Sequence, residues 1–145
     1  MPGALLDTHT LYWLVTAADT LSEEALVAIA DNQAAGTLYV SPITAWELTI
    51  AAKKPPHKDP PDLGDSPASK WFSDGVKATA SKVIPITQKI ACEAATVIDA
   101  TGHKDPGDCY LIATARVKKV PIITRDGVMR DLSVLMPGYL NVILC

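Results

Sequence analysis

Short apolar runs alternate with stretches of helical periodicity along this chain of 145 residues. This alternation is typical of βαβ units, in which parallel strands form a central sheet that helices cover. We therefore predict an α/β fold with a central, mainly parallel sheet of about five strands. The predicted strands are residues 4–6, 37–40, 83–86, 120–124 and 139–144.

Capping signals mark where several of the intervening helices begin. Ser22 precedes Glu23 and Glu24, which suit the positive end of a helix. The pairs Ser41-Pro42 and Asp105-Pro106 each place a capping side chain before a proline in the first helical turn. The predicted helices are residues 10–15, 22–32, 41–54 and 71–80, a helix capped by Thr87, and residues 105–118.

The length of the chain fits a single domain, residues 1–145. No apolar run has the length of a membrane span, and the N-terminus lacks the pattern of a signal peptide. The three cysteines have no metal-like spacing, so we expect reduced thiols in a cytoplasmic protein. Residues 53–68 are predicted to form an exposed loop, because residues 53–67 contain five of the eleven prolines.

The net charge of −3 disfavours a protein that coats nucleic acid by bulk electrostatics. If four acidic side chains were committed to binding cations, the remaining residues would carry a small positive charge. The net negative charge therefore argues against nucleic-acid binding as the function but does not exclude it.

Four acidic residues are expected near the carboxyl ends of the strands, where a parallel α/β sheet binds its ligands. Asp7 and Asp126 fall at or just past the ends of predicted strands, and ligands bind outside those ends in open α/β sheets. Glu47 lies on a largely apolar helical stripe with Ile43, Trp46 and Ile50. Asp108 heads a second apolar stripe: Leu111, Ile112 and Ala115. Because burying an unpaired carboxylate is costly, these four acids together predict a metal site.

Each acid except Glu47 also has a purely structural explanation. Asp7 could cap a helix that begins at Thr8, and Asp126 could be a turn residue before Gly127. Asp105 has the spacing of an N-cap, with Asp108 as its capping-box partner. The structural reading is weakest for Glu47, because an acid in the middle of a helix has no capping role.

Three segments resemble PIN-domain ribonucleases, and most closely the VapC toxins of toxin–antitoxin pairs. They are LLDTHTLYWL near the start, VSPITAWELTIAAKK in the middle and HKDPGDCYLIATARVKKVPIITRD near the end. The segments cover less than half of the chain but follow the order of the family. The resemblance implies a PIN-like three-layer α/β/α domain. The proline-rich loop departs from the shorter, glycine-containing segment of similar proteins.

The resemblance also implies a reaction and a set of site residues. It implies endonucleolytic RNA hydrolysis with Mg²⁺ or Mn²⁺, with Asp7, Glu47, Asp108 and Asp126 as the catalytic and metal-binding residues. Asp105 is left as a helix cap or as a supporting group. Thr8 and Thr124 match positions where a hydroxyl holds a carboxylate or a water.

Partners follow from the resemblance in the same way. It implies an RNA substrate, a VapB-type antitoxin whose tail covers the acidic cleft, and a homodimer. The candidates for contact with RNA phosphates are Lys53, Lys54, Arg116 and Arg125.

Two other functions remain open at this point. A PIN-like interaction module without a metal would not need the four acids. A phosphatase of the haloacid-dehalogenase type needs a second aspartate two residues after Asp7, where this chain has His9.

Overall fold

The computed structural model describes residues 3–145. Its centre is a sheet of five parallel strands in the order β3-β2-β1-β4-β5. This confirms the predicted α/β class with a mainly parallel sheet of about five strands. The strands are β1 (Ala4–Leu6), β2 (Leu38–Val40), β3 (Lys82–Val83), β4 (Ile122–Thr124) and β5 (Val142–Leu144).

Seven α-helices and one short 3₁₀ turn connect the strands within the described residues. The helices are α1 (Thr8–Thr16), α2 (Glu23–Ala35), α3 (Pro42–Ala51), α4 (Ala68–Ala78), α5 (Gln88–Thr101), α6 (Pro106–Lys118) and α7 (Gly127–Leu135). None of the helices in residues 3–145 is long and apolar enough to cross a membrane.

The sheet separates two hydrophobic cores because neighbouring residues of a strand point to opposite faces. Ala4 and Leu6 pack in one core with residues of α1, α2 and α4, including Leu11 and Phe72. Leu5 packs in the other core with residues of α5, α6 and α7. The result is the three-layer α/β/α arrangement that the resemblance implies.

The structure has the helix starts that were predicted at Ser22, Ser41 and Asp105. Each of these side chains caps its helix by accepting a hydrogen bond from a backbone N–H of the first turn. The predicted strands after residue 36 were all too long, since apolar flanking residues continue past the hydrogen-bonded ladder. Helix α7 was missed. The sequence Asp126-Gly127 suggested a turn, but Asp126 caps α7 and Met129 in that helix is fully buried.

The proline-rich segment is mostly exposed, as predicted, but it is attached to the rest of the fold. It contains the 3₁₀ turn Pro56–Lys58. Leu63 is buried in the same core as Leu11, and the backbone N–H of Asp62 donates to the Tyr12 hydroxyl at 2.8 Å. These contacts hold Pro60 and Pro61 against one side of a cleft that also includes Tyr12.

Candidate functional site

The predicted acidic residues lie at the carboxyl edge of the sheet. Asp7 directly follows β1, and Asp126 follows β4, which is paired with β1. Glu47 belongs to α3, the helix after β2, and Asp108 lies in the first turn of α6. The parallel order of the three central strands therefore brings groups that are far apart in sequence to one edge.

Asp7 is the most deeply buried of these acids, with 6% of its surface exposed. Its Oδ1 accepts the backbone N–H of Thr8 at 2.7 Å, which caps α1. Its Oδ2 accepts the hydroxyl of Thr124 at 2.5 Å. Asp7 therefore has the predicted capping role, and it also links the end of β1 to the end of β4.

Glu47 is held in place by a chain of hydroxyl groups. Thr8 donates to Glu47 Oε1 at 2.6 Å, and the Thr8 oxygen lies 3.1 Å from the hydroxyl oxygen of Thr44. Thr44 is fully buried one helical turn before Glu47. Since Thr8 uses its proton toward Glu47, Thr44 is left as the donor to Thr8.

Gly107 leaves room for the Glu47 carboxylate against α6. A Cβ atom at position 107 would lie 2.6 Å from Glu47 Oε2 and 2.7 Å from its carboxyl carbon. Such distances are well below van der Waals contact, so a side chain at position 107 would have to displace the Glu47 carboxylate.

Asp105 and Asp108 flank this glycine at the start of α6. Asp105 is the N-cap, and its Oδ1 accepts the backbone N–H of Asp108 at 3.3 Å. Glu47, Asp105 and Asp108 each offer a carboxylate oxygen within 4.8 Å of the others. Asp105 therefore caps the helix as predicted and also lies within the acidic cluster.

Asp126 lies beside this cluster. Its Oδ1 accepts the backbone N–H of Val128 at 2.7 Å, and its own N–H donates to the Thr124 hydroxyl at 3.0 Å. Its charge raises the pKa values of both Asp7 and Asp108. Asp126 is thus electrostatically coupled to the site, and its carboxylate caps α7.

Burial and the neighbouring negative charges raise the pKa values of these carboxyl groups. Burial raises the pKa of Glu47 to about 7, although the Thr8 hydrogen bond opposes it. Burial raises the pKa of Asp108 to about 6, against the hydrogen bond from His103. The pKa of Asp7 is also raised by burial, and the Thr124 hydrogen bond opposes that shift.

The donor set fits a hard divalent cation. Carboxylate oxygens are the ligands that Mg²⁺ and Mn²⁺ prefer in proteins. Within residues 3–145, no ion pair of a lysine or arginine includes one of the clustered carboxylates. A cation bound among Glu47, Asp105 and Asp108 would offset a repulsion that the described side chains leave largely uncompensated.

A cleft of about 820 Å³ extends from the acids along α1, α3 and the proline-rich segment. Glu47 and Asp105 lie in its wall together with Tyr12, Trp13 and Trp46. The helical stripe that we expected to face the core therefore faces two ways. Ile43 is buried, whereas Trp46 and Ile50 are 48% and 45% exposed and line the cleft.

The four basic residues proposed to contact phosphates have different positions. Lys54 lines the cleft, and its neighbour Lys53 is exposed. Arg125 precedes Asp126, donates to Asp19 and lies over the Trp13 ring at 4.2 Å.

Arg116 is not brought to the acids. It donates to Glu93 and to the carbonyl oxygen of Tyr139, each at 2.7 Å. It lies in a pocket with Val120 and Tyr139, which precede β4 and β5. Arg116 is therefore at the amino edge of the sheet, opposite the acids.

Three residues at the site were missed from the sequence: Thr44, Gly107 and His103. The sequence contained a signal for Gly107, because a glycine in the first turn of a helix is unfavourable unless a neighbouring group needs the space of a side chain. His103 lies in the loop before α6, and its Nε2 lies 2.8 Å from Asp108 Oδ2, a contact that its position in the sequence does not indicate. Thr44 offered no signal, since a threonine in a helix is common.

Comparison with known proteins gives one family. The model of the PIN domain family matches residues 4–135. No curated protein matches the chain.

Several solved structures share the fold. A toxin–antitoxin complex from Klebsiella pneumoniae aligns with a TM-score of 0.60 and 24% identity, covering 97% of this chain and 96% of that one. DNA-bound VapBC from Salmonella typhimurium aligns with a TM-score of 0.63 and 15% identity, and the match covers 99% of this chain and 98% of that one. VapBC2 from Rickettsia felis, bound to a promoter DNA fragment, aligns with a TM-score of 0.64 and 11% identity, and the match covers 97% of each chain.

The raised pKa values predict how the stability of the metal-free protein depends on pH. Glu47 and Asp108 have folded pKa values of about 7 and 6, above their ordinary values, so between about pH 4 and pH 7 the folded state binds more protons than the unfolded chain. The melting temperature should therefore rise by a few degrees as the pH falls from about 8 to about 5. The lowered pKa values of Asp19 and Asp74 act below this window.

Thermal unfolding in chelator across this pH range measures the effect. Glu47→Gln should flatten the profile, whereas Asp65→Asn, at an exposed loop acid, should leave it unchanged. A melting temperature that falls steadily between pH 8 and pH 5 would contradict the assignment.

The contact of Gly107 with Glu47 predicts an unusual variant. Gly107→Ala should leave the metal-free fold as stable or more stable, because alanine favours the helix by about 1 kcal/mol. The added methyl group should displace the Glu47 carboxylate, so the rise in melting temperature caused by Mn²⁺ should shrink. The control is Gly75→Ala in α4, where a Cβ meets nothing nearer than 3.4 Å. An unchanged response of Gly107→Ala to Mn²⁺ would show that Glu47 does not bind the ion.

Proposed function

The chain belongs to the PIN domain family, and we propose that it is a metal-dependent endoribonuclease, the toxin of a toxin–antitoxin pair. The observation that carries the proposal is the convergence of Glu47, Asp105 and Asp108 within 4.8 Å, with Asp7 and Asp126 coupled to them. Five carboxylates at one edge of a sheet are costly unless they bind a cation. The structures with the same fold include toxin–antitoxin complexes.

The resemblance assigns metal binding to Asp7, Glu47, Asp108 and Asp126. The geometry supports Glu47 and Asp108 most directly, because their carboxylate oxygens lie within 4.8 Å of one another and of Asp105. Asp7 and Asp126 are proposed to complete the site from the ends of β1 and β4, since each is electrostatically coupled to Asp108. Thr8 fixes one oxygen of Glu47, and Thr124 fixes one oxygen of Asp7, so each of these acids keeps an orientation that does not depend on the ion. Asp105 positions the start of α6 and adds a carboxylate at the rim of the cleft.

A divalent cation, Mg²⁺ or Mn²⁺, supplies nucleophile activation and neutralisation of phosphate charge when it is bound. The protein's own contribution is to hold the acids and to leave an open cleft where an RNA strand can approach. Lys54 in the cleft wall is the basic residue placed to meet a phosphate. The proposed products are a 5′-phosphate and a 3′-hydroxyl.

The cleft also supports the proposal of an antitoxin partner. Its aromatic and apolar lining, with Trp13, Trp46 and Ile50, leads directly to Glu47 and Asp105. An extended segment with apolar side chains and one basic side chain would cover the apolar lining and neutralise the acids. Such a segment would block both the cation and the RNA. The same proposal includes a homodimer, which the resemblance implies, and a cytoplasmic location, which the spacing of the cysteines suggests.

A cleavage assay with matched variants tests the proposed function. The purified chain without antitoxin should cut single-stranded RNA with Mg²⁺ or Mn²⁺ and stop in EDTA. Asp7→Asn and Asp108→Asn keep the side-chain shape but remove a charged ligand, so cleavage should fall by more than the roughly 10- to 100-fold that the loss of a mere partner of a ligand costs. Asp105→Asn keeps an equally good helix cap, so it should remain close to wild type.

The control for loss of one charge is Asp65→Asn on the exposed loop, which should cut RNA normally. Full cleavage in EDTA would refute a metal-dependent reaction. If Asp105→Asn were inactive and Asp108→Asn active, the metal ligand would be Asp105, one helical turn before Asp108. Metal-dependent binding of an antitoxin-like partner without any cleavage would favour an interaction module.

A further inference from the structure

His103 is the one side chain described in the structure that lies within hydrogen-bond distance of the Asp108 carboxyl group, and an ionised carboxylate can only accept from it. Its Nε2 lies 2.8 Å from Asp108 Oδ2, and each of the two side chains is 15% exposed. The two residues are five positions apart, across the junction between α5 and α6. One oxygen of Asp108 is therefore occupied by a partner from within the protein.

The backbone of His103 is fixed on both sides. Its N–H donates to the hydroxyl oxygen of Thr101 at 3.1 Å, and its carbonyl oxygen accepts the thiol of Cys109 at 3.2 Å. Thr101 in turn donates to the carbonyl oxygen of Val97 in α5. Gly102 ends α5 with a φ of 73°, a conformation that side-chain-bearing residues rarely adopt. The imidazole is thus presented to Asp108 from a fixed turn.

Asp105, the other aspartate of this turn, has a different environment. It is exposed, and its Oδ1 accepts only the long 3.3 Å bond from the Asp108 backbone. The histidine contact falls on Asp108 alone among the described acids. Of these two aspartates, Asp108 is therefore oriented by a side-chain partner, whereas Asp105 has only the backbone N–H of Asp108.

We propose that His103 is a positioning residue that holds Asp108 Oδ2 and so leaves Oδ1 directed at the cation site. The proposal rests on the proposed metal-dependent function. A ligand carboxylate that is already hydrogen-bonded loses less side-chain freedom when the ion binds, and removing such partners weakens metal binding. His103 itself is not a ligand in this arrangement, because its Nε2 is directed at the carboxylate oxygen.

Mn²⁺ binding without RNA tests this role by isothermal titration. His103→Ala should bind Mn²⁺ about 10- to 100-fold more weakly than wild type, the usual loss for a partner of a ligand. His103→Gln can place an amide donor near the position of Nε2, so it should retain more affinity than His103→Ala. His103→Asn is too short to reach Asp108 and should resemble the alanine variant while preserving polarity. The control is His57→Ala in the exposed loop.

A double-mutant cycle separates positioning from a general structural effect. Adding His103→Ala to Asp108→Ala should cause no further loss of Mn²⁺ affinity, because the residue acts through Asp108. Equal loss in both backgrounds, or wild-type affinity in His103→Ala and His103→Asn, would overturn the proposal. If His103→Ala does not fold, the comparison of His103→Gln with His103→Asn decides the question.

The outcome is distinguishable from failure of the proposed function. If the chain binds Mn²⁺ through His103-supported Asp108 but cuts no RNA, the ribonuclease proposal fails and the positioning role stands. If RNA cleavage requires metal but His103→Ala binds Mn²⁺ normally, only the positioning role fails.

Discussion

The hydrogen bond between Thr124 and Asp7 joins the two central strands at the edge where the site lies. It requires a buried carboxylate directly after β1 and a hydroxyl at the last residue of β4. Asp7 also caps α1, so one side chain sets the entry of a helix and the spacing of two strand ends. Because Thr8 begins that helix and donates to Glu47, the position of α3 relative to the sheet depends on the same corner.

This corner carries an electrostatic cost in the metal-free protein. Desolvation and mutual repulsion raise the pKa values of Asp7, Glu47 and Asp108. The groups that are hydrogen-bonded to the carboxylates are hydroxyls, backbone N–H groups and the His103 imidazole, and His9 also opposes the rise in the pKa of Asp7. The fold therefore maintains an arrangement that a divalent cation would stabilise, and this is the physical link between the sheet and the proposed chemistry.

Local signals in the sequence were sufficient for much of the fold. Ser22, Ser41 and Asp105 were identified as caps because capping depends only on neighbouring residues. Asp7 and Asp126 were placed at one edge because strand ends of a parallel sheet coincide. Helix α7 was missed because Asp126-Gly127 has the composition of a turn, and one buried methionine, Met129, is a weak sign of a helix.

Contacts between elements account for the remaining differences. An apolar stripe does not tell whether it faces a core or a cleft, so the exposure of Trp46 and Ile50 could not be foreseen. The contact of His103 with Asp108 depends on the turn between α5 and α6. The position of Arg116 was predictable in part, since it follows Asp108 by eight residues, or about 12 Å along a helix. Such a distance places the two ends of α6 at opposite edges of the sheet.

Anomalous diffraction from crystals soaked in Mn²⁺ measures most directly whether the acidic corner binds a divalent cation through specific carboxylates. An anomalous peak is expected at the carboxyl edge of the sheet, in direct contact with oxygens of Glu47 and Asp108 and beside Asp7. A crystal that shows Mn²⁺ only at exposed surface acids, with the Glu47 and Asp108 oxygens bonded solely to protein groups and water, would contradict it.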